Sequence, residues 1–149
     1  MIIEGWKLWK KIFIALLALA VVGIGLFFYE RHVLTEKMES EMKTYVQLTK
    51  EEQDEFVVTL MEETIFEFKD LEELQTFQDI MNNDPEVRQA GIDWGRSACA
   101  RFIVHSKNIF SGLSLEDKTA YYAEEEEYQQ RYDRFKALIN QNPGIYLED

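Results

Sequence analysis

The chain has 149 residues, 28 Asp and Glu against 16 Lys and Arg, and a formal net charge of −12. The first 32 residues carry +2, so the remaining 117 carry −14, and that remainder is long enough for one compact domain but not for two ordinary ones. So acidic a body argues against nucleic-acid binding, which needs clustered Lys and Arg, and the single cysteine, Cys99, excludes an intramolecular disulfide.

Residues 12–29, IFIALLALAVVGIGLFFY, contain no charged side chain. Eighteen helical residues rise about 27 Å, close to the roughly 30 Å of a bilayer hydrocarbon core, so the stretch is expected to cross a membrane once. Ile12, Phe13, Leu16, Leu17, Val21, Ile24, Phe27 and Phe28 would form the anchor surface, with Trp6 and Trp9 at one interface and Tyr29 at the other. Two other readings compete, a cleaved signal peptide and a buried core helix. Lys7, Lys10 and Lys11 resemble a signal peptide's basic start, and Ala18-Leu19-Ala20 its cleavage site. Cleavage there would leave an apolar region of only residues 12–17, shorter than such regions run, so an uncleaved anchor is the preferred reading. Those three lysines face only Arg31 immediately beyond the span, which places the N-terminus in the cytoplasm and the body outside it. Widening the window brings in Lys37 and Lys43 and levels the two sides.

Beyond Tyr29 the chain keeps good helix formers through Leu48, with Leu34, Met38, Met42, Tyr45 and Val46 on one stripe. This stalk is expected to continue the membrane helix and to pack its stripe on its own domain in preference to a coiled coil. Thr49-Lys-Glu-Glu52 has the form of a capping box and opens a helix expected to reach Phe68. Asp70 caps the next, and Asp84-Pro85 opens a third, expected to run to Phe110. This third helix carries apolar residues over a wide arc and should lie at the centre, with Gly91, Gly95 and Cys99 allowing close approach. Gly112 stops it, Ser114 caps the last helix, and Asn140 to Pro143 end that one. The expected fold is all-α, with a membrane anchor over residues 1–32, a helical stalk over 33–48 and an acidic bundle of about four helices over 49–149.

Chemistry is sparse. Cys99 and His105 are six positions apart on one expected helix and point about 120° apart, too divergent for a nucleophile and its base. No zinc, di-iron or phosphate-loop spacing occurs, so no cofactor is expected. Asp79, Asn82, Asn83, Asp84 and Glu86 form an oxygen-rich turn, but without the spacing or the central glycine of an EF-hand it reads as helix capping. Trp94, Arg101 and His105 on the central helix form the candidate partner or pocket cluster, set against the simpler reading of an internal ion pair with one of the many acids. The segment GIDWGRSACARF, residues 91–102, resembles the small-residue Gly-x-x-x-Cys segment of small exported helical domains of unknown function in actinobacteria. The second cysteine of those domains is missing here, and no property is carried over.

The expected function is a single-pass anchored protein-interaction module, an accessory or scaffold subunit of a membrane or envelope assembly, with no enzymatic role. Its partners would be the bilayer through residues 12–29 and a protein, one of basic character suiting the acidic body; nothing in the sequence argues for a second copy. The other class considered is a tethered small-ligand or Ca²⁺-binding domain.

Overall fold

The computed structural model of the chain describes residues 2–147, with side chains from Lys7 onward; the side chain of Trp6 lies outside the described residues. Among the described residues there are seven α-helices and no strand. The expected all-α fold, with one long apolar N-terminal helix followed by a bundle, is what forms.

Helix α1, Ile2–Tyr45, runs unbroken through the apolar stretch and beyond it. The chain divides into two compact units at Ser40 and Glu41. In the first unit, apolar side chains from Leu8 to Tyr29 are exposed along the whole helix; Trp9 is 72% and Phe13 66% exposed. Val33 and Leu34 are also exposed, and Met38 sits at the margin of exposure. In the second unit, Met42 and Tyr45 from the last turn of α1 are buried within the body's core. The expected stalk stripe is therefore split, its lower part packed and its upper part open.

The caps explain where the body helices start. Thr49 and Glu52 form a full capping box at α2, Lys50–Leu60: the Thr hydroxyl accepts from the Glu52 amide at 3.3 Å and the Glu carboxylate accepts from the Thr49 amide at 2.8 Å. Asp70 accepts from the Glu73 amide at the start of α3, Leu71–Asn83. Asp84 accepts from the Glu86 and Val87 amides ahead of α4, Pro85–His105. Pro85 takes the first helical position, where a missing N–H costs nothing.

Three helices end sooner than their periodicity predicts. After α2 the backbone widens into a π-helical turn, Met61–Ile65, and Phe66 leaves it in an extended conformation with its amide donating to the Met61 carbonyl. The helix expected to reach Phe110 stops at His105, because Ser106 adopts extended angles and its side chain caps the short α5, Lys107–Phe110. The last expected helix divides at Glu127 into α6, Leu115–Glu126, and α7, Tyr128–Ile139.

Helix α4 is the centre of the body, packing against α2, α3, α6 and α7. Gly95 sits where a Cβ would collide with Val57 Cγ1 and stand 2.6 Å from Met61 Cε, so α2 crosses α4 only because this side chain is missing. Beside it lies an aromatic cluster. Trp94 stacks on Phe135 with ring centroids 5.8 Å apart and planes 13° apart, and touches Tyr132 at 5.0 Å and Phe66 at 5.5 Å. After α7 the chain turns at Gly144, whose φ of +91° suits glycine. The Asn140 side chain then donates to the Leu147 carbonyl and accepts from its amide, which folds the tail back on the body.

Candidate functional site

Three features of the structure bear on function: the exposed helix, the polar contacts of α4, and a groove beside the C-terminal tail.

The exposed helix follows from composition. By length and hydropathy α1 is the one helix among the described residues suited to cross a membrane, and its most apolar window, with mean hydropathy 2.7, has none of its residues buried. This is compatible with a single span; a signal sequence near an N-terminus meets the same measure. Trp9 and Tyr29 stand exposed at opposite ends of the run, and Ile12, Phe13, Leu16, Leu17, Val21, Ile24, Phe27 and Phe28 are exposed between them.

The candidate cluster on α4 separates into a core residue and two surface residues. Trp94 is 4% exposed and belongs to the aromatic core. Its indole Nε1 is buried with no hydrogen-bond partner. Arg101 is exposed and holds its guanidinium over the Tyr128 ring, 4.9 Å from the centroid, at the start of α7. His105 Nε2 lies 3.2 Å from Glu125 Oε1 on α6, with 68% of the His side chain exposed. Arg101 and His105 thus hold α6 and α7 to the end of α4, and neither shares a pocket with Trp94.

Arg96, five residues before Arg101 on α4, occupies a more interior position. Its Nη1 donates to Asp54 Oδ1 at 3.2 Å and its Nη2 stands 3.7 Å from Glu124 Oε1, so one guanidinium joins α2, α4 and α6. Burial pulls the Arg96 pKa down, but Tyr45, Glu124 and Asp54 together leave it raised. Around it the weak acids stay neutral. Burial pushes the Cys99 thiol up to about 12, with Glu124 adding to the rise and Arg96 opposing it. Tyr121 is likewise pushed up to about 12, chiefly by burial and then by Glu124, and burial raises Tyr45 further still. A thiol held in this form is a poor nucleophile.

A second half-buried cation closes the α6–α7 break. Arg131 donates to Ser97 Oγ at 2.8 Å and to the Asp93 carbonyl, and the same guanidinium grips Glu127 Oε2 at 2.8 Å. Ser97 is fully buried. The kink at Glu127 is thereby fixed to α4.

The groove, with a volume of about 660 Å³, lies between the extended segment after the π-helical turn and the C-terminal tail. Phe66, Tyr132, Ile145 and Tyr146 line it, with Glu67, Lys69 and Glu73 among its charged residues. Glu73 is partly engaged, since its carboxylate accepts from the Lys69 amide. Among the described residues no group of three or more His, Cys, Asp or Glu side chains is placed to hold a metal ion. In the oxygen-rich turn Asp84 caps α4, and Glu86 approaches Arg134 at 3.9 Å.

The sequence reading passed over Asp54, Glu124 and Tyr45 as members of one site. Their shared feature, proximity to Arg96, depends on three helices meeting and leaves no local signal. Comparison of the chain with known protein families, with characterised proteins and with solved structures finds no match.

Proposed function

We propose that the protein is a single-pass membrane-anchored helical interaction module, serving as an accessory or scaffold subunit of a membrane or envelope assembly. The observation that carries this reading is the continuous exposed apolar surface of α1, whose most apolar window has no buried residue among the described residues. An apolar surface of that length in water would drive association, whereas lipid satisfies it without further contacts. The basic flank of Lys7, Lys10 and Lys11 supports a cytoplasmic N-terminus and an extracytoplasmic body. The exposed Val33 and Leu34 supply apolar contact area just beyond the span, and the −14 charge of the body favours a partner of basic character.

The test is chemical crosslinking in intact membranes followed by extraction in mild detergent. A defined co-purifying protein that is lost when Val33 and Leu34 are both replaced by serine is the expected result. A protein recovered only as an uncrosslinked monomer overturns the proposal. Protease added to sealed vesicles of known orientation reads the side on which the body lies.

A second reading, a tethered small-ligand domain, is favoured by the groove beside the tail. Stabilisation of the purified chain by a metabolite, abolished by Tyr146→Ala, would raise it above the first.

A further inference from the structure

Where α1 enters its apolar run, charge and aromatic surface are sorted to different sides of the helix. At about 100° per residue, Lys7, Lys10 and Lys11 fall within an arc of about 100°, while Trp9 and Phe13 lie together outside it. The three lysines are exposed, as are Trp9, Phe13 and Ile14. Between Trp9, Lys10, Phe13 and Ile14 the surface holds a notch of about 320 Å³. Trp9 lies one turn above Phe13, and Lys10 one turn above Ile14, so the notch runs along the helix between two ridges. One ridge is aromatic throughout. The other begins in an ammonium group and continues as an aliphatic side chain.

The far end of the run lacks this arrangement. From Lys7 to Tyr29 the sequence has no acid, and Glu4 is the one acid before it. Just past Tyr29, Arg31 stands among Glu30 and Glu36, and His32 Nε2 meets Glu36 Oε1 at 3.2 Å. Attraction for an anion is therefore concentrated at the N-terminal end. Side chains on a helix lean toward its N-terminus, so the three lysine stems carry their ammonium groups away from the apolar run and toward the level of lipid headgroups. An occupant of the notch must be apolar against Phe13 and Ile14 and anionic against the lysines, which bind phosphate as point charges. A soluble anion would leave the apolar ridges unmet. A zwitterionic lipid would meet the ridges and leave the lysine charge uncompensated.

We infer that the start of the apolar run is a docking site for an anionic phospholipid, its phosphate held by Lys7, Lys10 and Lys11 and one acyl chain seated in the notch between the Trp9–Phe13 and Lys10–Ile14 ridges. The site rests on the membrane anchor proposed above and adds a lipid partner of stated charge to it. A leaflet richer in anionic lipid then favours this end of α1, which ties the orientation of the chain to lipid composition. The site itself is the same whichever side of the membrane the body occupies.

Tryptophan quenching by brominated lipid tests the site. The full chain is reconstituted into phosphatidylcholine vesicles that carry a fixed fraction of either brominated phosphatidylglycerol or brominated phosphatidylcholine. Trp9 lines the notch and Trp94 is buried in the body, so the lipid-dependent signal comes from the N-terminal end of α1. At low salt the apparent affinity for phosphatidylglycerol should exceed that for phosphatidylcholine at least about threefold. The difference should vanish when Lys7, Lys10 and Lys11 are all replaced by glutamine, and persist when they are replaced by arginine. Equal quenching by the two lipids in the native chain, or a preference that survives the glutamine substitutions, overturns the inference and leaves the anchor standing. Quenching by neither lipid overturns the inference and the anchor together. Glycerol 3-phosphate added in solution should leave the preference intact; loss of the preference on that addition would make this a site for soluble phosphate and overturn the lipid assignment.

Discussion

Two long helices of this chain treat their side chains in opposite ways. The apolar part of α1 has the richest hydrophobic run in the sequence and buries none of it, whereas α4, with Asp93, Arg96, Ser97, Arg101 and His105 along its length, is the most enclosed element of the body. Hydrophobicity alone therefore does not decide burial in this molecule. What decides it is whether neighbours exist to answer each group. The polar side chains of α4 are answered by Asp54, Glu124, Arg131, Tyr128 and Glu125 from three other helices. The apolar side chains of residues 8–29 stay exposed among the described residues, and a bilayer would supply the environment they lack.

The largest expected effect comes from breaking the apolar side of this comparison. Replacing both Val21 and Ile24 by arginine, each costing roughly 2.5–3.5 kcal/mol near the centre of a span, should release the chain from membranes in an alkaline carbonate wash. The thermal transition of the body should stay where it was. Retention of the double variant would mean that the body, not α1, holds the protein on the membrane.

Truncation of phenylalanine separates the two helices' environments next. Phe135→Ala removes a fully buried ring from the stack on Trp94 and should destabilise the body by about 3–5 kcal/mol in chemical denaturation. Phe28→Ala removes an exposed ring of the first unit and should leave that denaturation midpoint unchanged. Equal losses would erase the distinction between the two helices.

Gly95→Ala sharpens the picture of α4. The added methyl gains roughly 1 kcal/mol of helix propensity, but it collides with Val57, whose branched side chain has little rotamer freedom in α2. The collision should win, giving a net loss of about 1–3 kcal/mol. At Gly91 the neighbours are a ring edge of Phe135 and the flexible end of Met81, so Gly91→Ala should be milder. The reverse order in melting experiments would show that α2, not α7, is the partner that yields.

The smallest effects belong to Arg101 and His105. Arg101→Ala forfeits an exposed cation–π contact and His105→Ala an exposed polar contact with Glu125, and each should cost less than about 1 kcal/mol. If crosslinking to a partner is lost in either variant while stability holds, that residue reaches the partner as well as its own helices.

The architecture was largely legible in the sequence because helix starts are local chemistry. Thr49 with Glu52, Asp70, Asp84 with Pro85, and Ser114 each satisfy amides within three residues, and each marks an observed helix start. The interruptions were not legible, since helix-forming residues continue through all three. Ser106 breaks α4 where Ile109 then becomes buried, and the kink at Glu127 is held by Arg131 reaching Ser97, contacts set by the bundle. The candidate site was read in part. Arg101 and His105 were visible as polar residues on one helix, but which group answers each depends on residues 20 to 27 positions away in the chain, Glu125 for His105 and the Tyr128 ring for Arg101.

The π-helical turn at Met61–Ile65 carries a consequence for how the chain tolerates changes in length. The wide turn delivers Phe66 to the space between Trp94, Phe77 and Phe135. Removing one residue from it would restore ordinary α-helical winding and swing the following residue about 100° around the axis, taking the ring out of the stack. A single-codon deletion there would thus be as damaging as losing a core aromatic, although none of the five residues in the turn is itself aromatic. Viable homologues should accordingly keep the spacing between Val57 and Phe66 constant even where the residues between them vary.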